Sequence, residues 1–183
     1  MHRRLPAVAV AVAGAWILGC SIAAAPPASP SPSLFARATP VPIREPALLI
    51  LGVADVGLPR TGGADHLSAG EAAHLEQNQP LSLTQYERWG WIDEATRDFG
   101  AAPSAIHLDL LLLSRDEGAE LAYGAWQTGG AACPRGIAAD DCSVDPGRQL
   151  VARVGPYVFR IATAGDAGPL AAKQAARIRS PSG

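Results

Sequence analysis

The sequence predicts an α+β domain, built as a small antiparallel sheet with flanking helices. Two alternating runs, at 149–154 and 157–162, are separated only by Gly155 and Pro156, which is the pattern of a β-hairpin. The run at 106–113 alternates in its first half and is apolar at every position in its second half, as expected for a strand in the middle of a sheet. Helical patterns lie before, between and after these strands, and this mixture is typical of helices packed on an antiparallel sheet.

Two elements are predicted in the first part of the domain. The apolar run at 48–53 follows Pro46 and precedes a turn-rich stretch, so it indicates a buried strand or entry segment, which we count as a strand. Ser68 and Glu71 then have the spacing of a capping box, which predicts a helix over about 69–78 that ends before Pro80.

The stretch at 83–99 fits both periodicities, and we interpret it as a short turn of helix followed by a strand over about 89–98. After the central strand, Ser114 and Glu117 form a second capping-box pattern. The helix that it predicts has an apolar stripe and ends at Gly129 and Gly130.

The last part of the chain contributes a turn, the hairpin and a closing helix. Asp145, Pro146 and Gly147 form the turn before the hairpin. A helix over about 169–178 closes the domain.

Residues 1–19 have the composition of a secretory signal peptide. Arg3 and Arg4 precede an apolar stretch, and the small residue Gly19 comes directly before Cys20. An ending of this kind resembles the lipobox of bacterial lipoproteins, although Ile17 and Leu18 differ from the commonest residues at their positions. The resemblance implies cleavage before Cys20, a diacylglycerol on its thiol, and a protein held at the cell membrane on its extracytoplasmic side.

Two other interpretations of the N-terminus stay open. The first is an uncleaved signal anchor, but the apolar run is shorter than the roughly 20 residues that a spanning helix needs. The second is ordinary signal cleavage near residues 23–25, which would remove Cys20.

Composition divides the mature chain into a linker and a domain. Residues 20–46 are rich in Pro, Ala and Ser, which favours an extended, disordered tether that buries no core. Residues 47–183 have the length of one globular domain. Removal of Arg3 and Arg4 with the signal peptide leaves 13 basic against 17 acidic residues, a net charge of −4. That balance argues against binding to nucleic acid, which requires a clustered basic surface.

Cys133 and Cys142 remain once Cys20 is assigned to lipid. In an oxidising compartment, an even pair predicts a disulfide, with two free thiols as the alternative. The segment between them has little periodicity and is interpreted as a surface loop.

Three groups of residues could carry chemistry. His66, Glu71 and His74 are types that bind zinc or iron, but the capping box already accounts for Glu71. Asp140, Asp141 and Asp145 could bind calcium, yet they lack the EF-hand spacing and are more simply loop acids. The third group, on the central strand, consists of His107 and Asp109, which share a face and fit either a base with its orienting acid or a structural hydrogen bond. We assign no catalytic residue, metal or cofactor from these patterns.

Tryptophans provide the candidate contact surface. Trp89 and Trp91 are predicted to contact a partner, and Trp126 is predicted to lie in the core. The segments 54–59, 89–91 and 154–158 are similar to uncharacterised secreted lipoprotein domains of GC-rich bacteria, a likeness that implies no active site.

The leading functional hypothesis is a membrane-anchored, non-enzymatic domain that binds an envelope protein, a polymer or a small ligand. The alternative is an envelope hydrolase or metal-dependent protein that uses the His, Glu and Asp residues named above.

Overall fold

The computed structural model describes residues 40–75, 83–127 and 130–181. Seven antiparallel strands form one sheet in the order β1-β2-β3-β7-β6-β5-β4, with helices packed against it. This confirms the predicted α+β class. The strands are β1 (Arg60–Gly62), β2 (Trp91–Phe99), β3 (Ile106–Leu113), β4 (Ala131–Ala132), β5 (Asp141–Asp145), β6 (Gln149–Val154) and β7 (Tyr157–Thr163). The helices are α1 (Pro46–Leu49), α2 (Val53–Val56), α3 (Ala69–Leu75), α4 (Leu83–Trp89), α5 (Asp116–Trp126) and α6 (Gly168–Arg179).

The central strand and the hairpin lie where the sequence predicts them. β3 pairs with β2 on one side and β7 on the other, so both of its edges are covered. The β6–β7 hairpin closes with Val154 opposite Tyr157, and Gly155 adopts the left-handed conformation that this tight turn requires (φ 55°).

Both faces of the sheet are buried, which explains the unbroken apolar run at the end of β3. Leu108, Leu110 and Leu112 pack in a core beneath α6 and the segment at 49–51. Leu111 and Leu113 face the opposite way and pack with α4 and α5. A strand between two apolar layers needs apolar residues at every position.

Among the described residues, the helices are too short or too polar to cross a bilayer.

The strand counted at 48–53 is wrong, and the segment forms α1, a short extended link and the start of α2 instead. Leu49, Ile50 and Leu51 are nevertheless fully buried. Side chains satisfy the backbone of this segment: the Gln174 amide donates to the Leu49 carbonyl and accepts from the Leu51 N–H, both at 3.1 Å. A short apolar run predicts that a segment is buried. It does not distinguish a strand from an irregular segment whose backbone is hydrogen-bonded by side chains.

One of the two predicted capping boxes is confirmed. At α3, the Glu71 N–H donates to Ser68 Oγ at 3.2 Å, and the Glu71 carboxylate accepts from the Ser68 N–H at 2.8 Å. Residues 76–78 and Pro80, in the predicted end of this helix, lie outside the described residues. At α5 the prediction is wrong, because Arg115 occupies the N-cap position with no side-chain bond and Ser114 instead pairs with the Gly90 turn.

The remaining boundaries differ by a few residues from the predictions. The strand expected from residue 89 begins at Trp91, since α4 continues to Trp89 and Gly90 makes a left-handed turn between them (φ 73°). Cys133 and Cys142 form a disulfide with a Cα–Cα distance of 5.6 Å, as predicted. Cys142 belongs to β5, so the disulfide fastens the preceding loop to the sheet.

Candidate binding groove

An open groove crosses one end of the sheet, where β2 and β7 end and β3 begins. Its volume is about 350 Å³, and its polar part is lined by Thr61, Asp98, His107 and Arg148. A second hollow of about 300 Å³ adjoins it and shares Arg148 and Thr163. We call the two together the far-end groove.

Both halves of the far-end groove combine polar and apolar residues. The first half presents Asp98 and Thr61 beside Phe99 and Ile106, and the second presents Asp145 and Asp166 beside Pro134 and Val144. Arg148 lies between the halves, on the exposed turn from β5 to β6. The groove can therefore accept a ligand with both polar and apolar groups.

His107 lines the first half of the groove, in a chain of alternating charges. Its Nε2 is 2.7 Å from Asp109 Oδ1, and its Nδ1 is 2.6 Å from Asp98 Oδ1. Arg160 Nε donates to the other oxygen of Asp109 at 2.6 Å. The predicted pair of His107 and Asp109 is thus brought together, and the hydrogen-bonded interpretation is confirmed.

This surrounding keeps His107 in its cationic form. The hydrogen bond that His107 donates to Asp109, together with the charges of Asp109 and Asp98, outweighs partial burial and raises the pKa of His107 to about 9. Burial opposes ionisation of Asp109, but Arg160 and His107 overcome it and hold the pKa of Asp109 below its usual value. At neutral pH, both imidazole nitrogens of His107 therefore carry protons that are already donated to carboxylates. An imidazolium in this state has no lone pair with which to act as a base.

Asp98 and Arg160 were not singled out by the sequence analysis. Arg160 does carry a signal, since it is the one charged residue in the otherwise apolar or neutral run of β7. Its position opposite Asp109 and beside Trp126, whose ring centroid is 4.9 Å from the guanidinium carbon, depends on the pairing of β7 with β3. That long-range register is not readable from the local pattern.

The candidate metal ligands His66, Glu71 and His74, to which the sequence assigns no metal, do not form one site. His66 Nδ1 lies 2.9 Å from Asp93 Oδ2, whereas Glu71 is held by Ser68 and His74 is exposed on α3. Within the described ranges, no three His, Cys, Asp or Glu side chains are grouped so that they could hold a metal ion.

The three acidic residues around Cys142 also have separate roles. Asp140 pairs with Arg179 at 2.6 Å, Asp141 pairs with Arg153 at 2.6 Å, and Asp145 lies 3.6 Å from Arg148. Each carboxylate is thus beside its own arginine, as expected of ion-paired acids near the surface.

The partner contact predicted for Trp89 is wrong, because that side chain is buried and packs against Tyr86 with ring centroids 5.3 Å apart. Trp91 is partly buried at the edge of the same core. Trp126 is buried, which confirms the core position predicted for it. Alternation alone does not show which aromatic residues a neighbouring helix covers.

The described chain enters the domain at the end of the sheet opposite the groove. Val41 packs beside Gly155, and the Arg44 N–H donates to the Tyr157 hydroxyl at 2.6 Å. The Arg44 guanidinium also donates to the carbonyl of Arg177, in the last turn of α6, at 3.0 Å and to that of Ser180, just after the helix, at 2.7 Å. We call this end, marked by Val41, Arg44, Gly155 and Tyr157, the entry end. Strand β7 runs from the entry end to the far-end groove, a distance of about 20 Å at the usual rise per residue.

Comparisons with protein-family models, curated proteins and solved structures gave no match to this chain.

Proposed function

We propose that this chain is a lipid-anchored extracytoplasmic protein that binds a partner protein in the far-end groove. The observation that carries the proposal is the position of the groove, at the end of the sheet opposite the entry end. A domain tethered through its N-terminus can present such a groove away from the membrane. The anchor itself is supported by the lipobox-like residues that end at Cys20, and by the Pro-rich segment after them.

The hydrogen bonds of the titratable side chains favour a binding protein over an enzyme. His107 donates both of its ring protons to carboxylates, and Glu71 serves as a helix cap. The alternative of a hydrolase or metal-dependent protein would need these residues free to act on a substrate or a metal. No observation on the described residues favours that alternative.

The shape of the groove supports a protein segment as the ligand. Small-molecule sites usually enclose most of the ligand surface. Here the groove is open, and polar and apolar residues line it on both sides of the turn that carries Arg148. An extended segment with several polar and apolar side chains would fill both halves.

Site-specific photo-crosslinking in intact cells tests this proposal. A photoreactive residue replaces Arg148 in the groove or, as a control, Leu121, which is exposed on α5. We expect a discrete protein adduct from position 148 and none from position 121. A Thr61→Arg substitution at the rim of the groove should abolish the adduct, whereas Ala125→Arg on the exposed face of α5 should leave it unchanged.

Two results would reject the groove as the binding site. One is an adduct that forms equally well from position 121, and the other is an adduct that survives Thr61→Arg. A third result would reject the proposal that the groove binds a partner protein. This result is the absence of any adduct from position 148 when the protein is folded and located at the membrane.

A further inference from the structure

Two exposed groups of opposite charge lie apart along the far-end groove. The carboxylate of Asp98 lines its first half, and the guanidinium of Arg148 lies where the two halves meet. Their side chains are 45% and 78% exposed. A segment in the groove therefore meets a negative group at one position and a positive group at another.

The register of the sheet sets the spacing of these two groups. Asp98 pairs with His107 across β2 and β3, and His107 pairs with Ala162 of β7. Ala162 in turn pairs with Gln149 of β6, the residue after Arg148. Three steps between neighbouring strands span about 14 Å, and four residues of an extended chain span about 13 Å. An extended segment that crosses the strand ends can therefore bring residues i and i+4 to Asp98 and Arg148.

Asp98 forms the exposed end of a chain of charges. Behind it, Arg160, Asp109 and His107 alternate in charge, so the chain ends at the groove in a carboxylate. Among the described residues, the Asp98 side chain accepts one hydrogen bond, from His107 at Oδ1. Its Oδ2 lies beside Gly62, where no side chain covers it. Because an ionised carboxylate can accept about four hydrogen bonds, Asp98 can bind a further donor.

Arg148 has donors available for a carboxylate. Its Nη1 lies 3.6 Å from Asp145 Oδ2, and its side chain makes no hydrogen bond to the described residues. An exposed ion pair of this length contributes little, and a guanidinium can hold a carboxylate through two parallel hydrogen bonds. Asp145 and Asp166 line only the second half of the groove. An acidic side chain can thus reach Arg148 from the first half, away from both acids.

We infer that the partner segment lies extended across the strand ends, with a basic side chain on Asp98 and, about four residues away, an acidic side chain on Arg148. This inference rests on the proposed function, because it names the chemistry of the partner in the same groove. Two opposite charges at a fixed spacing would set the register of the segment. They would also exclude segments that carry like charges at these positions.

Selection from a displayed library of random eight-residue peptides tests this inference. The target is the full chain, purified from membranes in detergent. We expect the enriched peptides to carry Arg or Lys and, four residues away, Asp or Glu. In an enriched peptide, exchange of the basic residue for glutamine should weaken binding to the wild type about 3- to 5-fold, as expected for the loss of one exposed ion pair.

Two variants separate the two contacts. With Asp98→Asn, exchange of the basic residue should have no further effect, whereas exchange of the acidic residue should still weaken binding about 3- to 5-fold. With Arg148→Gln, the two results should be reversed. The matched control is Glu87→Gln with Arg88→Gln, which removes two exposed charges from α4 and should behave as the wild type.

Three results would overturn the charge pattern. They are enriched peptides without the charge pair, the absence of any enriched peptide, and a cost of each exchange that is the same in the wild type and in both variants. If position 148 still gives its protein adduct in cells, such a result leaves the groove as the binding site. Absence of that adduct would instead reject the proposed function, so the two failures are distinguishable.

Discussion

Asp98 and Asp109 bind the same imidazole at nearly equal distances but in different surroundings. The side chain of Asp109 is 2% exposed, whereas that of Asp98 is 45% exposed. A buried carboxylate depends on its partners for solvation, and those partners depend on it in turn. An exposed carboxylate that loses a partner is solvated by water. Asp109 should therefore contribute more than Asp98 to the stability of the fold, although both lie at nearly the same distance from His107.

Asn substitutions measure this difference. Asp109→Asn should lower the free energy of unfolding by roughly 3 kcal/mol, because it leaves His107 and Arg160 without their shared buried carboxylate. Asp98→Asn should lower it by less than about 1 kcal/mol, in the range of exposed ion pairs. Urea unfolding of the two variants and the wild type gives both values. Equal losses would mean that burial of Asp109 does not control the network.

The raised pKa of His107 predicts a dependence of stability on pH. The folded state holds the proton up to a pKa of about 9, and the unfolded state releases it near 6.5. The resulting stabilisation is fully present below pH 6.5 and is lost as the pH rises through 9. The imidazole is 40% exposed, so solvent screening reduces the expected loss to about 1 to 2 kcal/mol.

His107→Gln is the control for this dependence, since its amide does not titrate. Urea unfolding from pH 6 to pH 9.5 should show the stability difference between wild type and variant decreasing across that window. A difference that stays constant, or that grows with pH, would show that His107 is not the titrating group.

The sequence predicted which side chains form hydrogen bonds with each other only where the two residues are close along the chain. His107 and Asp109 share a strand face because they are two positions apart, and Ser68 and Glu71 meet because they begin one helix. Asp98 is joined to His107 by strand pairing, and Arg160 reaches Asp109 across the β3–β7 ladder. Such partners follow from the register of the sheet, which no local spacing shows.

At the scale of elements, α5 contains two glycines with opposite constraints. A Cβ on Gly118 would overlap the carbonyl oxygen of Trp89, so this glycine permits close contact between α5 and the end of α4. A Cβ on Gly124 would meet no atom within 4 Å. Glycine is otherwise unfavourable in a helix, and only the first position has a packing reason for it.

Alanine substitutions separate the two roles. Gly118→Ala should lower the free energy of unfolding by about 1 to 3 kcal/mol, because α4 and α5 must move apart. Gly124→Ala should raise it by up to about 1 kcal/mol through helix propensity. Thermal unfolding of both variants measures whether each substitution lowers or raises the stability. Stabilisation by both substitutions would contradict the close contact between the helices.

The periodicity of apolar residues predicted most of the helices and strands. One segment was predicted as the wrong kind of element, and the error has a physical cause. The strands of the hairpin and β3 were located because their alternation reflects two-sided contacts within the sheet. The run at 48–53 is equally apolar, but its backbone is satisfied by side chains such as Gln174, which lies more than 120 residues away. Hydrogen bonds of that kind allow a buried segment without a strand partner.

At the scale of the whole molecule, the entry end and the far-end groove lie at opposite ends of one sheet. The entry end receives the chain from the N-terminal segment, and the far-end groove lies about 20 Å away along β7. The candidate anchor at Cys20 could be predicted from local sequence, because a signal peptide is recognised as a short linear pattern. The groove could not, because its lining comes from six strands and the turns between them.

The most direct test of the lipid-anchored account is the intact mass of the protein extracted from membranes of cells that produce the full chain. The account predicts a mature protein of residues 20–183 carrying diacylglycerol at Cys20, with the lipid mass absent from a Cys20→Ala variant. A mass that retains residues 1–19, or a chain that starts beyond Cys20, would contradict it.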